Sequence, residues 1–446
     1  MFSSSLKCSK VTGHAIVIVI VCVGVSIAED WPGFLGSQRN GKSSEIGIVK
    51  DWKAGQLEMQ WVLQLGEGYG IGSVVGDRFF QLDRVGNEGR LRCLDTEKGR
   101  PLWEYRYTVE YDDLFGYDSG PRASPVIDEN RVYIYGVTGQ LHCVNIETGK
   151  LIWKVDLNAK FDVVQNFFGV GSSPVIYKDA VLVMVGGSSP ETKDVAPGRL
   201  DLVDDNESAV VILDKRNGEV RHWLGADLAS YSTIQLARMH DRDVAIVWGR
   251  GKLAGFDPLT AEVLFEMPYR ARTLESVNAA TPVVEGNRVF VSECYGPGGL
   301  LVEVDSQFKP HVVWSDQGRR DRALAAHWNT PVLHEGALYG SSGRHTNGAL
   351  LRCVQWETGQ VKWSVDGYGR ASMTYVDGHL IVLDEMGKLF LVRATDTNFE
   401  RVTEWTPGEQ DPVKRLRYPC WAAPVVADGR LYVRSKDTLV CFRLLR

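Results

Sequence analysis

Eight short stretches of this chain concentrate the residue types that bind or react. They carry Tyr69, Asp118 with Arg122, Asn166 with Phe168, Tyr231, Asn278, His327 with Asn329, Arg370, and Tyr418 with Trp421. Each stands shortly before a small residue that opens an apolar run. Arg122 and Arg370 bring planar guanidinium forks, which grip a carboxylate or phosphate at two points. Amides, aromatics and a histidine beside them are what a shaped polar pocket uses. His327 and His345 are the histidines in unusual settings, the second following the polar run Gly340-Ser341-Ser342-Gly343-Arg344. A single histidine is more often a hydrogen-bonded structural residue than a base or ligand. The candidate ligand-binding set is therefore Arg122, Asn278, His327, Asn329, Arg344, His345, Arg370 and Trp421, with no catalytic or cofactor-binding residue assigned.

Other constellations carry less. Ser341-Ser342 has no Gly-x-Ser-x-Gly context, so no nucleophile elbow is expected. Tyr295-Gly296-Pro297-Gly298-Gly299 is rich in glycine but lacks the Lys-Ser/Thr of a phosphate loop, and reads as a hairpin turn. Asp201, Asp204, Asp205 and Glu207 do not have the spacing of a calcium loop. Glu293 reads as an acid on a strand in a salt bridge or in solvent, and Asp316 to Arg322 as solvated surface. No metal site is expected.

The elements that must position these residues are repeats. Ser124 to Trp153 contains the runs Pro125-Val126-Ile127, Val132-Tyr133-Ile134-Tyr135, Leu141-His142-Cys143-Val144 and Leu151-Ile152-Trp153, separated by turn residues. Four antiparallel strands in so short a span cannot stand alone and must stack against copies. The copies begin at Ser73, Ser124, Ser173, Thr233, Thr281, Thr330, Ser372 and Ala423, a period close to the roughly 40–50 residues of a four-stranded propeller blade. Each ends on a turn that delivers a large flat side chain: Trp103, Trp153, Trp363, Phe265 and, one place later, Trp223. These rings are expected in the seams between blades. The last copy lacks a fourth strand, and Met59–Leu65 is expected to supply it and close the ring. Closure removes an open edge. The fold class is all-β, an eight-bladed propeller of four-stranded antiparallel blades closed by an N-terminal strand. Ligands of such rings meet them near the axis, by analogy between folds, where the eight stretches converge.

Residues 1–28 read as a secretory signal cleaved near Ala28, with Lys7 and Lys10 before an apolar centre from Ala15 to Val25. The competing reading is a retained anchor, but the apolar run is short of the roughly 20 residues a spanning helix needs. Residues 29–446 then form one domain, exported to the periplasm, with no transmembrane span. Asp30 to Lys53 is expected to be irregular and wrapped on the surface, and Gly186 to Glu207 to be an insertion. Losing the two lysines moves the formal charge from −6 to −8, so no attraction to nucleic acid follows from net charge. Cys93, Cys143, Cys353 and Cys441 recur on the third strand of their blades, too far apart to pair at a sheet spacing of about 10 Å. No disulfide is expected.

The tryptophan-ended repeats resemble the PQQ-like (pyrroloquinoline-quinone, quinoprotein-type) propellers, including the BamB outer-membrane assembly lipoproteins. Trp31-Pro32-Gly33-Phe34-Leu35-Gly36, Glu275-Ser276-Val277-Asn278, His327-Trp328-Asn329-Thr330-Pro331 and Ser341-Ser342-Gly343-Arg344-His345 are similar to exported planctomycete-type members. For the quinoprotein dehydrogenases the resemblance implies PQQ over the axis, a vicinal disulfide, a stacking Trp, calcium and an Asp base. This chain has no Cys-Cys pair, and none of the calcium ligands can be matched residue by residue. Two functions follow. The first is an exported binding scaffold that recognises a protein partner of the cell envelope or a small polar ligand at its axial face, with no cofactor. The alternative is a PQQ- and calcium-dependent oxidoreductase of alcohols or sugars.

Overall fold

The computed structural model describes residues 29–52, 57–406 and 416–445. The signal assigned to 1–28 lies outside them. Eight antiparallel sheets follow one another round a ring, each of four strands, one carrying an added two-residue strand. Every first strand begins at or just after one of the small-residue marks, from Ser73–Val75 to Val425–Ala427. At four of the marks the hydroxyl serves an arc of hydrogen bonds that runs from blade to blade. Backbone N–H groups of Ser124, Ser173, Thr233 and Thr281 donate to the hydroxyls of Ser173, Thr233, Thr281 and Thr330 at 2.9, 3.1, 3.0 and 3.0 Å. First strands too short to pair with each other are thereby satisfied from blade to blade.

Closure is as expected. Glu58–Gln64 pairs antiparallel with Thr438–Arg443, with Trp61 opposite Cys441. The N-terminal strand is the outermost of the last blade, so chain ends far apart in sequence share one sheet.

Five seams are built alike. Trp61, Trp103, Trp153, Trp314 and Trp363 each donate Nε1–H to a carbonyl of the next blade: Thr96, Ile146, Lys215, Trp356 and Thr395, at 2.7–3.1 Å. The Trp153 ring lies flat on the turn glycine Gly218, whose φ is +76° and where a Cβ would stand 2.6 Å from the ring. Only glycine meets both demands. Burying such a ring removes about 150–250 Å², worth roughly 4–6 kcal/mol before entropy.

The other seams differ, and one corrects the sequence reading. Trp223 is 55% exposed. Its strand pairs His222 with Ile212 and Trp223 with Val211, so the tryptophan stands one residue past the docking position. A shift of one residue turns a side chain to the other face of the sheet. Phe265 is buried against Gly255 of its own blade. In blade 7 the docking position holds Thr403, across from Leu391. That seam is filled from the N-terminal segment, where buried Trp52 donates its backbone N–H to Thr403 Oγ1 at 3.2 Å.

The same segment corrects a second expectation. It does not simply wrap the surface, because Trp31, Leu35, Ile48, Val49 and Trp52 are buried. Pro32 accepts a hydrogen bond from Ile127 in blade 2, and Gly41 accepts one from Tyr375 in blade 7. Between them Phe34 to Asn40 crosses the ring axis. The insertion between Ala180–Met184 and Val210–Asp214 folds back through the cluster Val164, Leu200 and Leu228. Asp316 is also not solvated: fully buried, it accepts from the N–H groups of Gly299, Ala323 and Leu324. Cys93, Cys143, Cys294, Cys353, Cys420 and Cys441 are free and buried, and burial raises the Cys93 and Cys353 thiols to about 12.

Candidate functional site

At one end of the axis is a cavity of about 530 Å³, within the 300–1,000 Å³ or so that holds a small organic ligand. Two tiers of loops build it. One tier enters the first strands and brings Tyr69, Phe115, Tyr117, Arg122, Phe168, Tyr231, His327, Trp328, Asn329, Arg370, Tyr418 and Trp421. The other joins second to third strands and brings Tyr295 and Arg344. Phe34 and Leu35 close the inner end, because their segment crosses the axis there.

One wall is organised by an ion pair. Arg370 Nη2 donates to Glu385 Oε1 at 2.6 Å, and Trp421 Nε1 donates to the same oxygen at 2.7 Å. Glu385 is 1% exposed and Arg370 12%, so each charge depends on the other. Burial works to raise the Glu385 pKa, but Arg370, Thr346 and Trp421 outweigh it and hold the carboxyl below its ordinary value. The Arg370 guanidinium stacks over Trp328, 4.4 Å from the ring centroid. Trp328 in turn lies 4.7 Å from Trp421 and 4.5 Å from His327. Burial, followed by the Arg370 and Arg344 charges, lowers His327 to about 3. The imidazole is neutral at ordinary pH.

The opposite wall is aromatic. Phe115, Phe167 and Phe168 meet at centroid distances of 5.7–6.3 Å, and Tyr231 accepts the Phe168 N–H at 2.7 Å. Arg122 sits between Tyr69 and Phe168 at 5.7 and 5.5 Å from their centroids. Its charge is matched by Asp113 at 2.8 Å.

Of the eight candidates, Arg122, His327, Asn329, Arg344, Arg370 and Trp421 line this cavity. Asn329 does so while donating to Ala371 O at 2.7 Å. Asn278 does not line it. Its amide donates to Gly249 O and Arg250 O, fixing a buried loop, and its neighbours Val277 and Ala279 form the wall instead. His345 is exposed on the hairpin tip beside the lining. Sequence reasoning missed Glu385, Tyr295, Trp328, Phe115, Tyr117 and Phe34. The available signal was topological: loops joining second to third strands open on the same end as those entering first strands. Glu293, two residues before Tyr295, is buried, accepting from Ser276 Oγ and Tyr295 N at 2.9 Å each. Among the described residues no group of three His, Cys, Asp or Glu is placed to hold a metal ion.

The family described as outer membrane protein assembly factor BamB matches residues 87–365. No curated protein matches the sequence. Among solved structures, BamB from Moraxella catarrhalis superposes with a TM-score of 0.58 at 15% identity, covering 87% of this chain and 97% of that one. Quinohemoprotein alcohol dehydrogenase from Comamonas testosteroni gives 0.62 at 13% identity, covering 93% and 80%. A europium-containing methanol dehydrogenase gives 0.53 at 10% identity, covering 93% and 98%. Likeness at such identities extends to the fold alone.

Proposed function

The chain belongs to the family of the outer membrane protein assembly factor BamB, and from that premise we propose that it is an exported, non-catalytic binding scaffold whose axial face receives a protein partner of the cell envelope or a small polar ligand. The observation that carries this reading is the cavity itself: roomy, closed at its inner end and with the buried charges of its walls paired to one another. Glu385 is held by Arg370 and Trp421, Asp113 by Arg122, and His327 is too weak a base to take a proton near neutrality. What remains is a surface for recognition. Phe34 and Leu35 of the opening segment supply the floor. No helix of the described residues is long and apolar enough to cross a membrane.

The residues present do not fit PQQ with calcium. Calcium takes about 6–8 oxygen ligands, carboxylates prominent among them, whereas among the described residues Glu275 is the one carboxylate in the lining and stands exposed.

The test is retention. Equilibrium dialysis of the purified chain against an envelope extract, read by mass spectrometry, should enrich a ligand that Ala279→Trp, which fills the cavity, does not retain. Equal retention by both proteins would remove the axial site. A PQQ absorbance with dye reduction after reconstitution with PQQ and calcium would favour the oxidoreductase.

A further inference from the structure

On the Arg370 wall the hydrogen bonds have one consistent direction. A guanidinium has donors only, so the lone pair of neutral His327 faces Arg370 Nη1, 3.5 Å from Nδ1. The imidazole proton is then on Nε2, 3.3 Å from the Tyr295 hydroxyl, and the phenol oxygen is the acceptor of that contact. Tyr295 keeps its own O–H for the cavity it lines. Its pKa is pushed up to about 12, chiefly by burial, so the proton stays on the oxygen. Arg344 lies over the same ring, 4.3 Å from the centroid. Arg122 is paired with Asp113 and Arg370 with Glu385. Arg344 also hydrogen-bonds the Tyr295 phenol, but among the described residues it has no carboxylate within ion-pair distance, so its charge in the lining is not neutralised by an acid. Two donors, one of them charged, thus stand together beside His327, which packs on Trp328 of the Trp328–Trp421 wall.

Resting on the reading of the axial cavity as a binding site, we propose that Tyr295 and Arg344 form a recognition pair for the carboxylate of a flat organic acid whose body lies on Trp328 and Trp421. The two donors match the two oxygens of a carboxylate, and the charge makes the contact stronger than a neutral one. The tilted indoles, backed by Arg370, offer the body an aromatic face. His327 acts through Tyr295 as a positioning residue.

The test compares two probes of one shape, indole-3-acetate and indole-3-acetamide, by titration calorimetry on the mature chain. The acid should bind about tenfold or more tightly than its amide, the difference a charge-assisted pair supplies. Tyr295→Phe and Arg344→Gln, both at partly exposed positions that leave the fold intact by circular dichroism, should each bring the two probes close to parity. Equal affinity in the wild type would overturn the anion pair while leaving the cavity as a binding site. A preference that survives both substitutions would overturn the assignment to these residues. Binding of neither probe would overturn the flat-acid class, and retention from the extract decides the cavity independently.

Discussion

The seams between blades and the axial cavity use the same aromatic residues to opposite ends. In the seams a tryptophan is bonded to a neighbouring backbone carbonyl, five times over, and in four of the five it is seated on a turn glycine. At the axis Trp328 and Trp421 appear once each, stacked with Arg370 and facing open space. Repetition builds the ring, because each blade must satisfy the next. Binding needs loops that are free to differ. Stability and recognition should therefore be separable by substitution.

The largest effect belongs to the seam. Trp153→Ala should cost about 4 kcal/mol of unfolding free energy, from lost burial and the void left above Gly218. Trp223→Ala, the same change on the exposed face, should stay within about 0.5 kcal/mol. Chemical denaturation of both variants checks the pair, and similar losses would erase the distinction between docked and undocked rings.

At the axis, Arg370→Met should cost about 3 kcal/mol, because it strands the Glu385 carboxylate in a buried site. Adding Glu385→Leu should recover most of that. A double variant no better than the single would mean that the pair acts through packing and not through charge.

Acid should strain both regions. His142 sits in a seam, its Nδ1 2.9 Å from the Tyr105 hydroxyl, and burial, with Lys154, lowers it to about 4. His327 is its axial counterpart, lowered to about 3. Both folded values lie below the unfolded value of about 6.5, so the unfolded chain binds more protons as pH falls. The stability from a neutral imidazole is complete above about pH 6.5 and lost as pH drops toward 4 for His142 and 3 for His327. His142→Gln should lessen the stability lost between pH 7 and 4.5 by on the order of 2 kcal/mol, seen in urea midpoints at the two pH values. An unchanged difference would refute the neutral buried imidazole.

The smallest effect tests the inner ring. Thr281→Val keeps shape but leaves the Thr233 N–H without its acceptor, for a loss of about 1–2 kcal/mol and no change in cavity binding. A neutral result would mean that water replaces the hydroxyl.

How much of this was legible in the sequence follows the same division. The blades were, because a small residue such as Ser173 recurs near the start of each first strand, and at Ser173, Thr233, Thr281 and Thr330 the hydroxyl accepts the N–H of the preceding mark. So was closure, since Met59–Leu65 alternates like an outer strand and the last blade lacks one. Trp223 was misread because the bulge before the docking position allows a one-residue offset that spacing alone does not resolve. Six of the eight candidate residues reach the cavity, five because entry loops converge by topology and Arg344 because its second-to-third hairpin opens on the same end. Glu385 was invisible because its partner Arg370 is on a different loop, and a lone Asp-Glu turn carries no signal until the two loops meet. The floor was missed for a similar reason: nothing local in Phe34-Leu35 says that the segment crosses the axis.

The most direct test of the account is a crystal structure of the mature chain grown with saturating indole-3-acetate. The indole is expected against Trp328 and Trp421, with its carboxylate within hydrogen-bonding distance of the Tyr295 hydroxyl and the Arg344 guanidinium. A ligand bound on a blade edge, or an axial cavity occupied by solvent alone, would contradict it.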